Sequence, residues 1–259
     1  MPIAMLPDAE LHYEWSGPEH APVVLFSNSL GTTLRMWDVQ IADFAQHFRL
    51  LRYDTRGHGQ STATPGPYTI EQLSNDVLHL LDVLQLKQVY FCGLSMGGTI
   101  GQFLGSHWSE RFHKIVLCST AAKIGTPANW NARIATVQQN GMKAVASAVI
   151  ERWFTAPYRA SHPAEIATMQ AMLENANPAG YAANCAAVRD ADLTPLLAAI
   201  KVPTLIVSGI HDPATTPADG SFLAEHLPDA RLVEVPAAHI SNIEAQTSFN
   251  REVLSFLLA

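Results

Sequence analysis

The sequence has only three cysteines, no block rich in Lys or Arg, and no apolar run long enough to cross a bilayer. Cys92, Cys118 and Cys185 are an odd and sparse set, which offers no disulfide framework and fits a reducing compartment. Cys92 and Cys118 lie inside apolar runs, where a free cysteine behaves as a small buried hydrophobe. The balance of 16 Lys and Arg against 23 Asp and Glu leaves a net charge of -7. That argues against a nucleic-acid partner, because phosphate binding needs a concentrated basic face. The opening residues, MPIAMLPDAELHYEW, carry Asp8 and Glu10 and no long apolar stretch, so no signal peptide is expected there. The expected compartment is the cytoplasm, with no membrane partner. Oligomeric state leaves no mark in the sequence.

What is present is 259 residues, 48 % of them hydrophobic, enough for one large α/β domain or a core with one insertion. Short apolar runs alternate with helical patterns. Val23–Phe26, Phe48–Tyr53, Val89–Cys92 and Ile115–Cys118 are unbroken apolar or near-apolar runs, as expected of strands covered on both faces of a parallel sheet. Between them Leu73, Val77, Leu80, Leu81 and Leu84 recur at helical spacing behind a candidate N-cap, Thr69. Such alternation predicts βαβ units. From Lys123 to Leu193 the spacing turns helical throughout and is punctuated by Pro127, Pro157, Pro163 and Pro178. This predicts a helical cap over residues 123–193, inserted into an α/β core formed by residues 1–122 and 194–259. Strands resume at Thr204–Val207 and Arg231–Val235, and a last helix is expected over Ile243–Leu258.

The run Gly93-Leu94-Ser95-Met96-Gly97 follows an apolar strand and precedes a helical pattern. Strand, sharp turn and helix is the setting of a nucleophile elbow, which exposes a serine hydroxyl on a strained turn. Gly93 and Gly97 supply small neighbours where the chain crowds. The helix N-terminus aims amides and a positive dipole end at a developing oxyanion. A serine needs a base. Of the 11 histidines, His239 stands apart, because it sits in a loop between the last strand and the last helix. The carboxyl edge of an open α/β sheet is where ligand chemistry gathers. The acid should follow the preceding strand, where Asp212 lies in His211-Asp212-Pro213. The loop after Cys118, Ser119-Thr120-Ala121-Ala122, holds no acid. Ser95, Asp212 and His239 are therefore the candidate nucleophile, orienting acid and general base.

These segments, with Ser27-Asn28-Ser29-Leu30-Gly31 and Asp54-Thr55-Arg56-Gly57-His58-Gly59-Gln60-Ser61, resemble the α/β-hydrolase superfamily along almost the whole chain. Within it they most resemble the 3-oxoadipate enol-lactonase family. Asn28-Ser29 replaces the His-Gly of many relatives and belongs to the lactonase form of that loop. The resemblance implies a mostly parallel sheet flanked by helices with a helical lid. It also implies an oxyanion hole made by the Leu30 and Met96 amides. The small-molecule substrate would be a lactone or ester, opened through an acyl-enzyme without metal or organic cofactor. A carboxylate on the substrate would need a cation in an otherwise apolar pocket. Arg133, near Trp130, is the candidate, and Arg189 is the second. Trp130, Trp153 and Met172 are candidate pocket walls, while Arg56 and His58 read as structural. Three other readings share the pattern. They are a general carboxylesterase or cofactor-free perhydrolase, a carbon–carbon bond hydrolase of ring-cleavage products, and a non-catalytic ligand-binding protein on this fold.

Overall fold

The computed structural model describes residues 2–259. Eight strands form one sheet in the order β1-β2-β4-β3-β5-β6-β7-β8. They are β1 (Ile3–Met5), β2 (Glu10–Ser16), β3 (Val23–Ser27), β4 (Arg49–Tyr53), β5 (Val89–Leu94), β6 (Phe112–Cys118), β7 (Thr204–Gly209) and β8 (Ala230–Val235). From β4 to β8 every pairing is parallel, and β1 and β2 add an antiparallel edge. That edge had no expectation behind it. Leu11 and His12 are buried while Glu10 and Met5 are exposed, so these short strands never make an unbroken apolar run. The central strands do. Val24, Leu25 and Phe26 on β3 and Ile115 to Cys118 on β6 are fully buried, each large aliphatic side chain contributing about 1.5–3 kcal/mol.

The helices are α1 (Ile41–Phe44), α2 (Ile70–Val83), α3 (Met96–His107), α4 (Pro127–Asn140), α5 (Lys143–Trp153), α6 (Ala156–Ser161), α7 (Pro163–Glu174), α8 (Pro178–Asp190), α9 (Pro217–His226), α10 (Ser241–Glu244) and α11 (Gln246–Leu258). Thr69 caps α2, its hydroxyl accepting from the Gln72 amide at 3.0 Å. The last helix is broken at Ala245, which leaves helical geometry between α10 and α11. Among the described residues no helix is long and apolar enough to cross a membrane.

Helices α4 to α8 follow one another between β6 and β7 without a strand. The Leu193 amide donates to the Ala122 carbonyl at 2.8 Å, closing the base of this excursion. On its far side α8 presses onto the core. A Cβ at Gly180 would stand 2.2 Å from the Gly57 carbonyl oxygen, so helix and loop meet backbone to backbone. We take this helical layer as the cap.

Candidate active site

The elbow begins where β5 ends. Ser95 adopts φ 58° and ψ −113°, a conformation a non-glycine residue holds at a cost of roughly 1–3 kcal/mol. The surroundings enforce it. The Ser95 amide donates to the Cys118 carbonyl at 2.9 Å, and the Ser95 carbonyl accepts from the Thr99 amide and the Thr120 hydroxyl, each at 2.9 Å. A Cβ at Gly93 would lie 2.2 Å from the Gly97 carbonyl oxygen, and one at Gly97 would lie 2.3 Å from that of Ser27. Both glycines are thus required by close approach of backbone.

The loop after β3 runs beside the elbow. The Gly97 amide donates to the Asn28 carbonyl at 3.0 Å. The Asn28 side chain is itself fixed, donating to the Tyr53 carbonyl at 2.7 Å and accepting from the Trp37 indole at 3.0 Å. This juxtaposes Leu30 with the start of α3. Neither the Leu30 nor the Met96 amide donates to another group among the described residues.

His239 and Asp212 form a direct pair, Nδ1 to Oδ2 at 2.7 Å, with both residues buried. The carboxylate accepts, so Nδ1 carries the proton and Nε2 keeps its lone pair. Burial pushes the Asp212 carboxyl up. The charge and hydrogen bond of His239, with the Thr215 hydroxyl and amide, more than reverse this and hold it below its ordinary value. The Thr215 hydroxyl donates to Oδ2 at 2.7 Å, and the Ala214 and Thr215 amides donate to Oδ1 at 2.7 and 3.1 Å. The His239 loop is pinned on its other side. Glu244 accepts from the Ala238 amide at 2.9 Å and from Thr155 of the cap, and the Ile240 amide donates to the Trp153 carbonyl at 3.0 Å.

Ser95 and His239 line one cavity of about 420 Å³ between core and cap, although no hydrogen bond joins them. Leu30, Trp130, Arg133 and Trp153 also line it. Arg133 stacks over the Trp130 ring at 4.6 Å. Met96, the first residue of α3, is buried, and its side chain does not line the cavity. Two expected wall or binding residues lie elsewhere. Met172 packs away from the cavity, its sulfur accepting from the Thr33 amide at 3.3 Å. Arg189 pairs with Asp190 at 2.7 Å and donates to Asn131, on the cap's outer groove. Arg56 is tied to Asp8 and Asp76, and the His58 ring accepts from the Gly31 amide at 2.8 Å, so both hold loops.

Among the cavity residues that the sequence did not mark as site candidates are Arg152 and Tyr181, together with Ser29, legible there only as part of the loop after β3. Ser29 carries a buried hydroxyl without a partner. Arg152 has no ion-pair partner among the described residues, and neither has Arg133. Burial, and then the charge of Arg133, pull Arg152 below its usual value. No Asp or Glu lines the cavity. Periodicity alone could not single out Arg152, because an arginine near a helix end reads as a solvated cation.

Residues 22–246 match the family described as alpha/beta hydrolase fold, and the chain belongs to it. Two relatives come from Acinetobacter baylyi. 3-oxoadipate enol-lactonase 2 is 44% identical over 95% of this chain and 92% of its own length. 3-oxoadipate enol-lactonase 1 is 40% identical over 92% and 90%. The crystal structure of the enol-lactonase from Burkholderia xenovorans LB400 superimposes with a TM-score of 0.98 at 48% identity, covering 100% of both chains.

Proposed function

We propose that this chain is a serine hydrolase that opens the lactone ring of 3-oxoadipate enol-lactone to 3-oxoadipate, a cytoplasmic step in bacterial aromatic catabolism. The observation that carries the reading is that His239, hydrogen-bonded to Asp212, lines the same cavity as a strained Ser95 and an Arg133 that has no ion-pair partner among the described residues. The similarity to the two Acinetobacter lactonases supports the substrate.

His239 takes the Ser95 proton as the oxygen attacks the lactone carbonyl. The Leu30 and Met96 amides receive the tetrahedral oxyanion. Each such donor is typically worth about a hundred- to a thousandfold in rate. Asp212 holds the imidazole in the useful tautomer and stabilises its charged form. Collapse expels the ring oxygen as an enolate tethered in the acyl-enzyme, and the proton on His239 passes to that enolate, giving the ketone and freeing the imidazole. His239 then activates water for deacylation. Arg133 receives the substrate carboxylate, and Trp130 supports that guanidinium from one face.

The test compares kcat/KM on the enol-lactone and on a neutral aryl ester, for wild type and Arg133→Ala. The wild type should prefer the enol-lactone, and the variant should lose far more on it than on the neutral ester. A wild-type preference for neutral esters would make this a general carboxylesterase instead.

A further inference from the structure

The substrate carries one carboxylate, yet the cavity offers a second cation. Arg133 comes from α4 and stacks on Trp130, whose indole donates to the Ile124 carbonyl at 2.7 Å. Arg152 comes from the last turn of α5, one residue before Trp153. The Trp153 carbonyl accepts the amide of Ile240, the residue after His239, at 3.0 Å. One hydrogen bond therefore ties the backbone carrying Arg152 to the backbone carrying His239. Both side chains line the cavity. Tyr181, fully buried, lies close enough to feel both guanidiniums.

In a serine hydrolase the leaving oxygen departs on the side of the base, because an ordinary leaving group takes its proton there. From the substrate proposed above, on which this inference rests, we infer that Arg152 binds the departing ring oxygen as an enolate. Arg133 holds the carboxylate. The charge count fits. The bound lactone is a monoanion. As the Ser95 Oγ–carbon bond forms and the ring carbon–oxygen bond breaks, the ring oxygen keeps the electron pair. The acyl-enzyme then carries a carboxylate and an enolate. The proton taken from Ser95 stays on His239 until it passes to the enolate, which becomes a ketone, and His239 is again a base for water. The second negative charge exists only after bond breaking begins. A cation placed to meet it therefore binds the transition state more tightly than the substrate, which raises kcat rather than lowering KM.

The experiment uses two carboxylate-bearing lactones, the enol-lactone and its saturated analogue, whose leaving group is an alkoxide that must be protonated as it leaves. Acylation is followed in single turnovers with enzyme in excess. Arg152→Gln should slow acylation by the enol-lactone about a hundredfold, the usual loss for one such donor, and slow the saturated lactone by only a few-fold. Arg152→Lys should recover most of the difference by restoring the charge. Arg133→Gln should weaken both lactones alike, because both carry the carboxylate. Thermal melts check that each variant is folded, and the lysine variant serves if the glutamine variant is not. Equal losses of Arg152→Gln on the two lactones, or no loss on either, would overturn the role of Arg152 alone. A wild type inert on the enol-lactone would overturn the substrate reading and this inference with it.

Discussion

Acid should destabilise this protein through one buried imidazole, that of His58. His58 is buried, and its Nε2 accepts the Gly31 amide at 2.8 Å, so the folded ring must be neutral with its proton on Nδ1. Nδ1 faces the Arg56 carbonyl at 3.5 Å and the Asn184 amide at 3.3 Å, neither of which is an anion. The Asp54 carboxylate is the nearby negative charge, and the Arg56 guanidinium is already held by Asp8 and Asp76. Burial dominates and pushes His58 down to about 4 from an ordinary 6.5. Between those values the unfolded chain binds a proton that the folded chain refuses. The contribution is fully present above pH 6.5 and is lost as pH falls toward 4. The gap from 6.5 to about 4 corresponds to roughly 3 kcal/mol. Urea unfolding at stepped pH, for wild type and His58→Gln, measures it. The glutamine can still accept from Gly31 but does not titrate in this window. Wild-type stability should fall more steeply than the variant's, by about 1.4 kcal/mol per pH unit at most. Two pH profiles differing only by a constant offset would refute the reasoning. Asp212, held below its ordinary 3.8, loses its contribution only at lower pH and lies outside this window.

Other outcomes follow from the site. Asp212→Asn should fold normally yet lose about four orders of magnitude in kcat, because the amide no longer fixes the imidazole tautomer; unchanged acylation bursts would remove Asp212 from the relay. Gly97→Ala places a Cβ 2.3 Å from the Ser27 carbonyl oxygen, and the shift it forces should cost about 1–3 kcal/mol together with activity, measured by melting and turnover. Ser29→Ala removes a buried hydroxyl without a partner and should raise stability by up to about 1 kcal/mol, while lowering kcat if that hydroxyl meets the substrate; a lower melting temperature would contradict the first half.

Most of the sheet legible in the sequence is where burial is complete, while β8, only partly buried, was legible from its run Arg231–Val235. β3, β5, β6 and β7 are covered on both faces, and their apolar runs say so without a partner in view. β1, β2 and α9 were not legible, because each buries only part of its surface and offers no sustained period. The elbow was legible for a different reason. Its glycines are set by backbone contacts at Ser27 and Gly97, so the local sequence carries the constraint directly. Asp212 and His239 could be assigned because strand order fixes which loops reach the carboxyl edge.

The cap follows no such rule. Its helices repeat apolar residues at similar spacing whether they face the core, one another or solvent. Arg133 and Arg189 are equivalent as sequence, both polar residues on apolar-lined helices. Packing separates them. Arg189 finds Asp190 and Asn131 outside, whereas Arg133 and Arg152 are turned into a cavity whose lining holds no acid. A cation without a counter-charge in a partly dry site costs free energy unless a ligand supplies the charge. The core thus carries the strand order and elbow common to the fold, while the cations proposed to meet the substrate's charge have a direction that only the three-dimensional arrangement reveals.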